Sequence, residues 1–85
     1  MGRRRSEVQI LTDILNIALN GVKVTRLMYQ SNLSYATLQK YLSATQKRGL
    51  IKKINNSNGS AEYFTTDRGK LLLDKLKEVA YALRG

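Results

Sequence analysis

Cysteine and histidine are both absent from this 85-residue chain. Without cysteine there is no disulfide framework and no thiolate zinc site. Without histidine the commonest metal ligand and the commonest general base are missing. Carboxylates are few. Glu7, Asp13, Glu62, Asp67, Asp74 and Glu78 are scattered, each beside a basic residue or on a helical face. No nucleophile–base pair, metal-ligand cluster or Gly-rich phosphate loop is present. The sequence therefore predicts a protein that is not an enzyme and uses no metal or cofactor. No stretch approaches the roughly 20 apolar residues of a membrane-spanning helix, so a membrane partner is not expected. The opening MGRRRS is basic, but Glu7, Gln9 and Asp13 interrupt the apolar run that a signal peptide needs. Residues 1–5 are read instead as a flexible basic arm, and the chain as a soluble intracellular protein.

What is present is a single small domain. Hydrophobic residues make up 42% of it, enough for a core. A domain of this length buries only about 60% of the surface its unfolded chain exposes, so it is marginal alone and gains from pairing with a second copy. The net charge is +9, and its placement matters more than its size. Lys23, Arg26, Lys40, Lys47, Arg48, Lys52 and Lys53 meet no carboxylate anywhere between Asp13 and Glu62. An unopposed positive field of this kind fits a polyanion.

Apolar periodicity places the elements. Val8, Leu11, Ile14, Leu15, Ala18 and Leu19 recur at helical spacing, predicting a helix over 6–20 that ends at Asn20-Gly21. Val22 to Val24 reads as a short extended connector. Thr25 is the expected N-cap of a short helix through Ser31, and Ser34 that of the next, which ends at Gly49. Leu38, Tyr41, Leu42 and Thr45 form the inner stripe of that third helix. Two strands follow, 50–55 and 61–65, joined by a polar turn with Asn58-Gly59 near its tip. Thr66 caps a last helix, where Leu72, Leu76, Val79 and Leu83 recur as an a/d seam. Because the first three helices and the hairpin can close a core, that seam is expected to be a dimer interface.

Two short helices joined by a tight turn, then a hairpin, describe a winged helix-turn-helix: mainly α with a small β-hairpin, the α+β class. Residues 6–65 are the expected DNA-binding domain and 66–85 the dimerisation element. The second helix of the pair, 34–48, is expected in the major groove, where each base pair shows its own donor and acceptor pattern. Its face left over from the core carries Ser34, Tyr35, Ala36, Thr37, Gln39, Lys40 and Ser43. Gln39 suits adenine edges, Ala36 and the Thr37 methyl suit a thymine methyl, and Lys40 suits guanine or phosphate. Arg26, Lys47, Lys52 and Lys53 are expected on phosphates, with Asn56 and Asn58 of the wing, 50–65, on the backbone or minor groove. Arg3, Arg4 and Arg5 are expected to enter a groove or track the backbone.

The run TRLMYQSNLSYATLQKYL, then RGLIKK, then YFTTDRGKLLL, resembles a family of small archaeal winged-helix proteins that includes the 10a-type chromatin proteins. The likeness falls on Thr25 to Tyr29, Asn32 to Tyr35, Leu38, Tyr41 and Leu42, then Gly49 to Ile51, then Tyr63, Thr66, Arg68 and Gly69. It implies a homodimer joined by antiparallel pairing of C-terminal helices, two DNA-binding modules on one duplex, and an archaeal cytoplasm or nucleoid. The last helix is short for the long coiled coil of the chromatin members, which favours a compact, regulator-like dimer. A transcription regulator is therefore the first expectation. A sequence-tolerant architectural protein is the second, and a winged-helix protein–protein adaptor the third.

Overall fold

Ser6 and Gln9 start the first helix by satisfying each other. In the computed structural model, which describes residues 5–84, the Ser6 hydroxyl accepts from the Gln9 N–H and the Gln9 side chain accepts from the Ser6 N–H, both at 3.1 Å. This capping box removes two orphan donors of α1, Glu7–Ile17. The helix stops short of Asn20 because the Ala18 carbonyl is taken elsewhere. It accepts from Gly21 at 3.2 Å and from Thr65 at 3.0 Å. Gly21 turns the chain with φ +91°, and a Cβ there would lie 2.5 Å from the Phe64 ring. Val22 then exchanges both backbone hydrogen bonds with Tyr63, so the connector is one bridge residue beside the hairpin.

The second helix, α2, runs Val24–Ser31. Lys23 occupies the N-cap position and supplies no side-chain cap, so the expectation that Thr25 caps this helix is corrected. Helical geometry begins two residues earlier because Leu27 N–H already reaches the Lys23 carbonyl at 2.9 Å. Asn32 ends α2 in the left-handed region at φ 56°, which asparagine tolerates better than most residues. Ser34 then caps α3, Tyr35–Lys47, by accepting from the Thr37 N–H. Leu38, Leu42 and Thr45 are buried on its inner side, with Tyr41 half-buried. The Thr45 hydroxyl is satisfied by donating to the Tyr41 and Leu42 carbonyls.

The hairpin pairs β1, Ile51–Asn55, with β2, Ala61–Thr65, in the register Ile51 to Thr65, Lys53 to Tyr63 and Asn55 to Ala61. Thr66 caps α4, Asp67–Arg84, by accepting from the Gly69 N–H. Its hydroxyl also donates to the Gly49 carbonyl at 2.6 Å, tying the start of α4 to the end of α3.

The core gathers Ile14, Leu15 and Ala18 of α1, Leu27 of α2, Leu38 and Leu42 of α3, Leu50 and Ile51 at the hairpin's base, and Leu73 of α4. Burying each large aliphatic among them contributes about 1.5–3 kcal/mol. The helix α4 is part of this core, so the seam expected at a dimer interface, Leu72, Leu76, Val79 and Leu83, does not stand clear of the domain along its whole length. Leu73 is 2% exposed, and Leu72 and Leu76 pack against the cluster. Lys77 Nζ meets Asn16 Oδ1 at the C-terminal end of α1. Further along α4 the same stripe emerges: Val79 is 53% exposed and Leu83 82%. The stripe has one phase around the helix but two environments along it.

Candidate nucleic-acid interface

The outer face of α3 and the inner face of the wing meet in a groove. Tyr35 and Gln39 of α3, Lys23 and Thr25 at the start of α2, and Lys53, Ser60 and Tyr63 of the hairpin line a cavity of about 430 Å³. A second shallow surface runs along α3, formed by Ala36, Gln39, Lys40, Ser43, Lys47 and Arg48. Gln39 belongs to both. The structure thus brings together Tyr35, Ala36, Gln39, Lys40, Ser43, Lys47 and Lys53 of the residues picked out in the sequence.

Others are placed differently. Alternate residues of a strand point to opposite faces, and Lys53 shares the buried face with Ile51, Thr65 and Tyr63. Lys53 Nζ lies 6.0 Å from the Tyr63 ring centroid. Lys52 pairs with Phe64 and lies on the other face, away from α3. Ser34 spends its hydroxyl on the cap, accepting from the Thr37 N–H, and donates it to Thr37 Oγ1 at 3.0 Å. Asn56 Nδ2 donates to Ser60 Oγ, and Asn58 Oδ1 accepts from Ser60 N–H and Oγ. These two asparagines shape the wing tip. Arg26 lies in a neighbouring depression with Lys23, Thr25 and Glu62. Arg3 and Arg4 lie outside the described residues. Arg5 does not extend from the domain: its guanidinium is bound to Asp13 and to the end of α2.

Lys23 was the residue most easily overlooked. It stands just before a helix start that no side chain caps, and only tertiary packing brings it opposite Gln39 and Lys53. Arg48, the C-cap of α3, likewise extends the basic surface of that helix.

The electrostatics are one-sided. Among the described residues, the ion pairs are Arg5–Asp13 at 2.7 Å and Lys70–Asp67 at 3.9 Å. Lys23, Arg26, Lys40, Lys47, Arg48, Lys52 and Lys53 are all exposed and take part in neither. A groove with amide, hydroxyl and ammonium groups and no carboxylate has the chemistry to neutralise a polyanion, and the Gln39 amide has the donor and acceptor that a base edge would take. A more apolar cleft of about 320 Å³ lies between α1 and the C-terminal half of α3, lined chiefly by Val8, Leu11, Tyr41 and Thr45. It shares Ala44 and Arg48 with the shallow surface along α3 and no residue with the groove. Among the described residues no helix is long and apolar enough to cross a membrane.

Comparison with known proteins agrees with this architecture. A family model described as winged helix-turn-helix matches residues 4–83. The uncharacterized protein MJ0290 of Methanocaldococcus jannaschii is 31% identical over 77 residues, covering 89% of this chain and 34% of its own. The chain thus spans about a third of that relative's length. The crystal structure of Sso10a-2, a DNA-binding protein from Sulfolobus solfataricus, superposes with a TM-score of 0.85 at 28% identity, covering 94% of this chain and 83% of that one. The transcriptional regulator BldR from the same organism shares the fold, with a TM-score of 0.81 at 17% identity over 88% of this chain and 56% of that one.

Proposed function

The chain belongs to the winged helix-turn-helix family, and from that premise we propose that it is a homodimeric protein that binds double-stranded DNA and regulates transcription rather than catalysing a reaction. The observation that carries this reading is the carboxylate-free groove between α3 and the wing, with Gln39 at its centre and Lys23, Lys40, Lys47 and Lys53 around it. In this reading α3 enters the major groove with Gln39 on a base edge. Lys40, Lys47 and Arg48 hold phosphates along one strand. Lys53 and Lys23 hold the backbone where the wing closes, and the uncapped N–H groups at the start of α2 present their positive dipole end to the same strand. Sso10a-2 supports the DNA reading, since it is a DNA-binding protein with this fold and 28% identity. BldR supports regulation only through shared architecture.

Gln39→Ala tests base reading. On a preferred site the variant is expected to lose roughly ten- to a hundredfold in affinity, the worth of a bidentate base contact. On unrelated duplexes it should bind as the parent does. Equal loss on every duplex would mean that Gln39 reads no base.

The architectural reading has an observation of its own. The Ser34 hydroxyl is spent on the cap and on Thr37, so base readers are few while cations are many. Indifference of the parent protein to duplex sequence, with continuous coverage of long DNA, would establish it. The natural location in either case is the nucleoid.

The dimer rests on the distal half of α4, where Val79 and Leu83 are exposed alongside Ala80. Substituting Leu76 would damage the domain's own core, so Val79→Asp is the cleaner probe. It is expected to halve the mass seen by light scattering while leaving the melting temperature of the isolated domain nearly unchanged. A mass that does not change removes this seam from the proposal.

A further inference from the structure

We propose that Arg5 is a positioning residue, a clasp that sets the turn between α2 and α3 and so the presentation of α3, and not a DNA contact. The proposal rests on the reading of α3 as the DNA-binding helix, but its geometry does not. Arg5 Nη1 donates to Asp13 Oδ2 at 2.7 Å. Its Nη2 donates to the Ser31 carbonyl at 2.5 Å and reaches the Asn32 carbonyl at 3.4 Å. One planar guanidinium thereby joins the chain before α1, the middle of α1, and the last carbonyls of α2.

Those carbonyls are the ones a helix end leaves without partners. They also carry the negative end of the helix dipole, where a cation is favoured. Ser31 and Asn32 lead directly into Leu33 and the Ser34 cap, so the direction in which α3 leaves is decided at the atoms Arg5 holds. Asn32 sits there at φ 56°, a conformation that needs support from its surroundings.

Charge alone does not explain the arrangement. The two side chains are 32% and 45% exposed, and an exposed ion pair contributes little through Coulomb attraction. What is specific is the fork, which spans a carboxylate and a carbonyl at once. An ammonium is a point charge on a flexible stem and does not reproduce that geometry. Engagement of both terminal nitrogens also argues against phosphate contact, because a phosphate would have to displace Asp13 from Nη1 or the Ser31 carbonyl from Nη2.

Four variants decide the matter: Arg5→Gln, Arg5→Lys, Asp13→Asn and the Arg5→Gln/Asp13→Asn double variant. Thermal melting and hydrogen exchange at the Asn32 and Leu33 amides need no DNA. The clasp predicts that each single variant melts lower by about 5 °C, that both amides exchange faster, and that the double variant is no worse than either single one. Affinity for a duplex is then measured at a temperature where all variants are folded. The clasp predicts a loss of about three- to tenfold for Arg5→Gln and Asp13→Asn alike, little rescue by lysine, and an unchanged slope of log affinity against log salt. A phosphate contact predicts the reverse: lysine rescues, Arg5→Gln lowers the slope by about 0.9, and Asp13→Asn binds DNA more tightly because it frees Arg5. Tighter binding by Asp13→Asn, or unchanged melting and exchange in Arg5→Gln and Asp13→Asn, overturns the clasp. If the parent binds no duplex, the DNA reading fails, and melting and exchange still decide the clasp.

Discussion

Affinity of one winged-helix module for a duplex of about 15 base pairs, long enough for one half-site but not two, is expected to fall about a thousandfold between about 50 and 200 mM monovalent salt. The estimate follows from the groups on the basic face. Lys23, Arg26, Lys40, Lys47, Arg48 and Lys53 are exposed, and none is drawn into an ion pair among the described residues. If each neutralises one phosphate, about six counterions are released per module, and log affinity falls with log salt at a slope near −0.9 per phosphate. A fourfold rise in salt then costs roughly three orders of magnitude. Lys53→Gln should lower the slope by about one phosphate's worth, and Lys52→Gln should lower it less, because the strand pleat turns Lys52 away from α3. A slope near zero for the parent would remove DNA from the account and point to a protein partner for this face. Equal slopes for the two lysine variants would mean that the wing meets DNA with both faces.

Gly69→Ala is expected to lower the melting temperature by roughly 10 °C or more. On propensity alone the change should help, since alanine in a helix is favoured over glycine by about 1 kcal/mol. Packing decides otherwise. A Cβ at Gly69 would run into the Leu50 carbonyl oxygen and would lie 2.7 Å from Thr65 Cγ2. Neither neighbour is free to move. The Leu50 carbonyl accepts from Thr66 N–H at 3.0 Å, and the Thr65 hydroxyl is bound to the Leu15 carbonyl at 2.7 Å. Relief therefore requires α4 to lift from the base of the hairpin. Overpacking against a rigid neighbour costs about 1–3 kcal/mol or more, which outweighs the helical gain. Since Gly69 is remote from the groove, the salt slope of DNA binding should be unchanged in the folded variant. A melting temperature at or above that of the parent would show that α4 has room to shift, and that its seating on Leu50 is not part of the fold's stability.

Much of this protein was legible without coordinates. The starts of α3 and α4 were readable because Ser34 and Thr66 act on amides three residues away. The wing was readable from a polar turn between two strands, and the winged-helix architecture from the order of those elements. The likeness to the 10a-type proteins lay in a local run of residues, and Sso10a-2 bears it out. The positive field was plain because no carboxylate lies between Asp13 and Glu62.

Other features depend on where an element ends against its neighbour. Helical spacing gives the direction of a face around the axis but not the length of whatever covers it. Leu72, Leu76, Val79 and Leu83 look alike in sequence, yet the first two are packed on the core and the last two are bare. Strand alternation shows that Lys52 and Lys53 part company, but only packing decides that Lys53 is the one beside Gln39. Arg5 meets Ser31 across 26 residues, and Gly69 meets Leu50 across a strand pair and a turn. Short-range hydrogen bonds, charge and periodicity are properties of the chain and determined its elements and basic character. Which faces remain free is a property of the packed body, because burial is settled by what stands opposite.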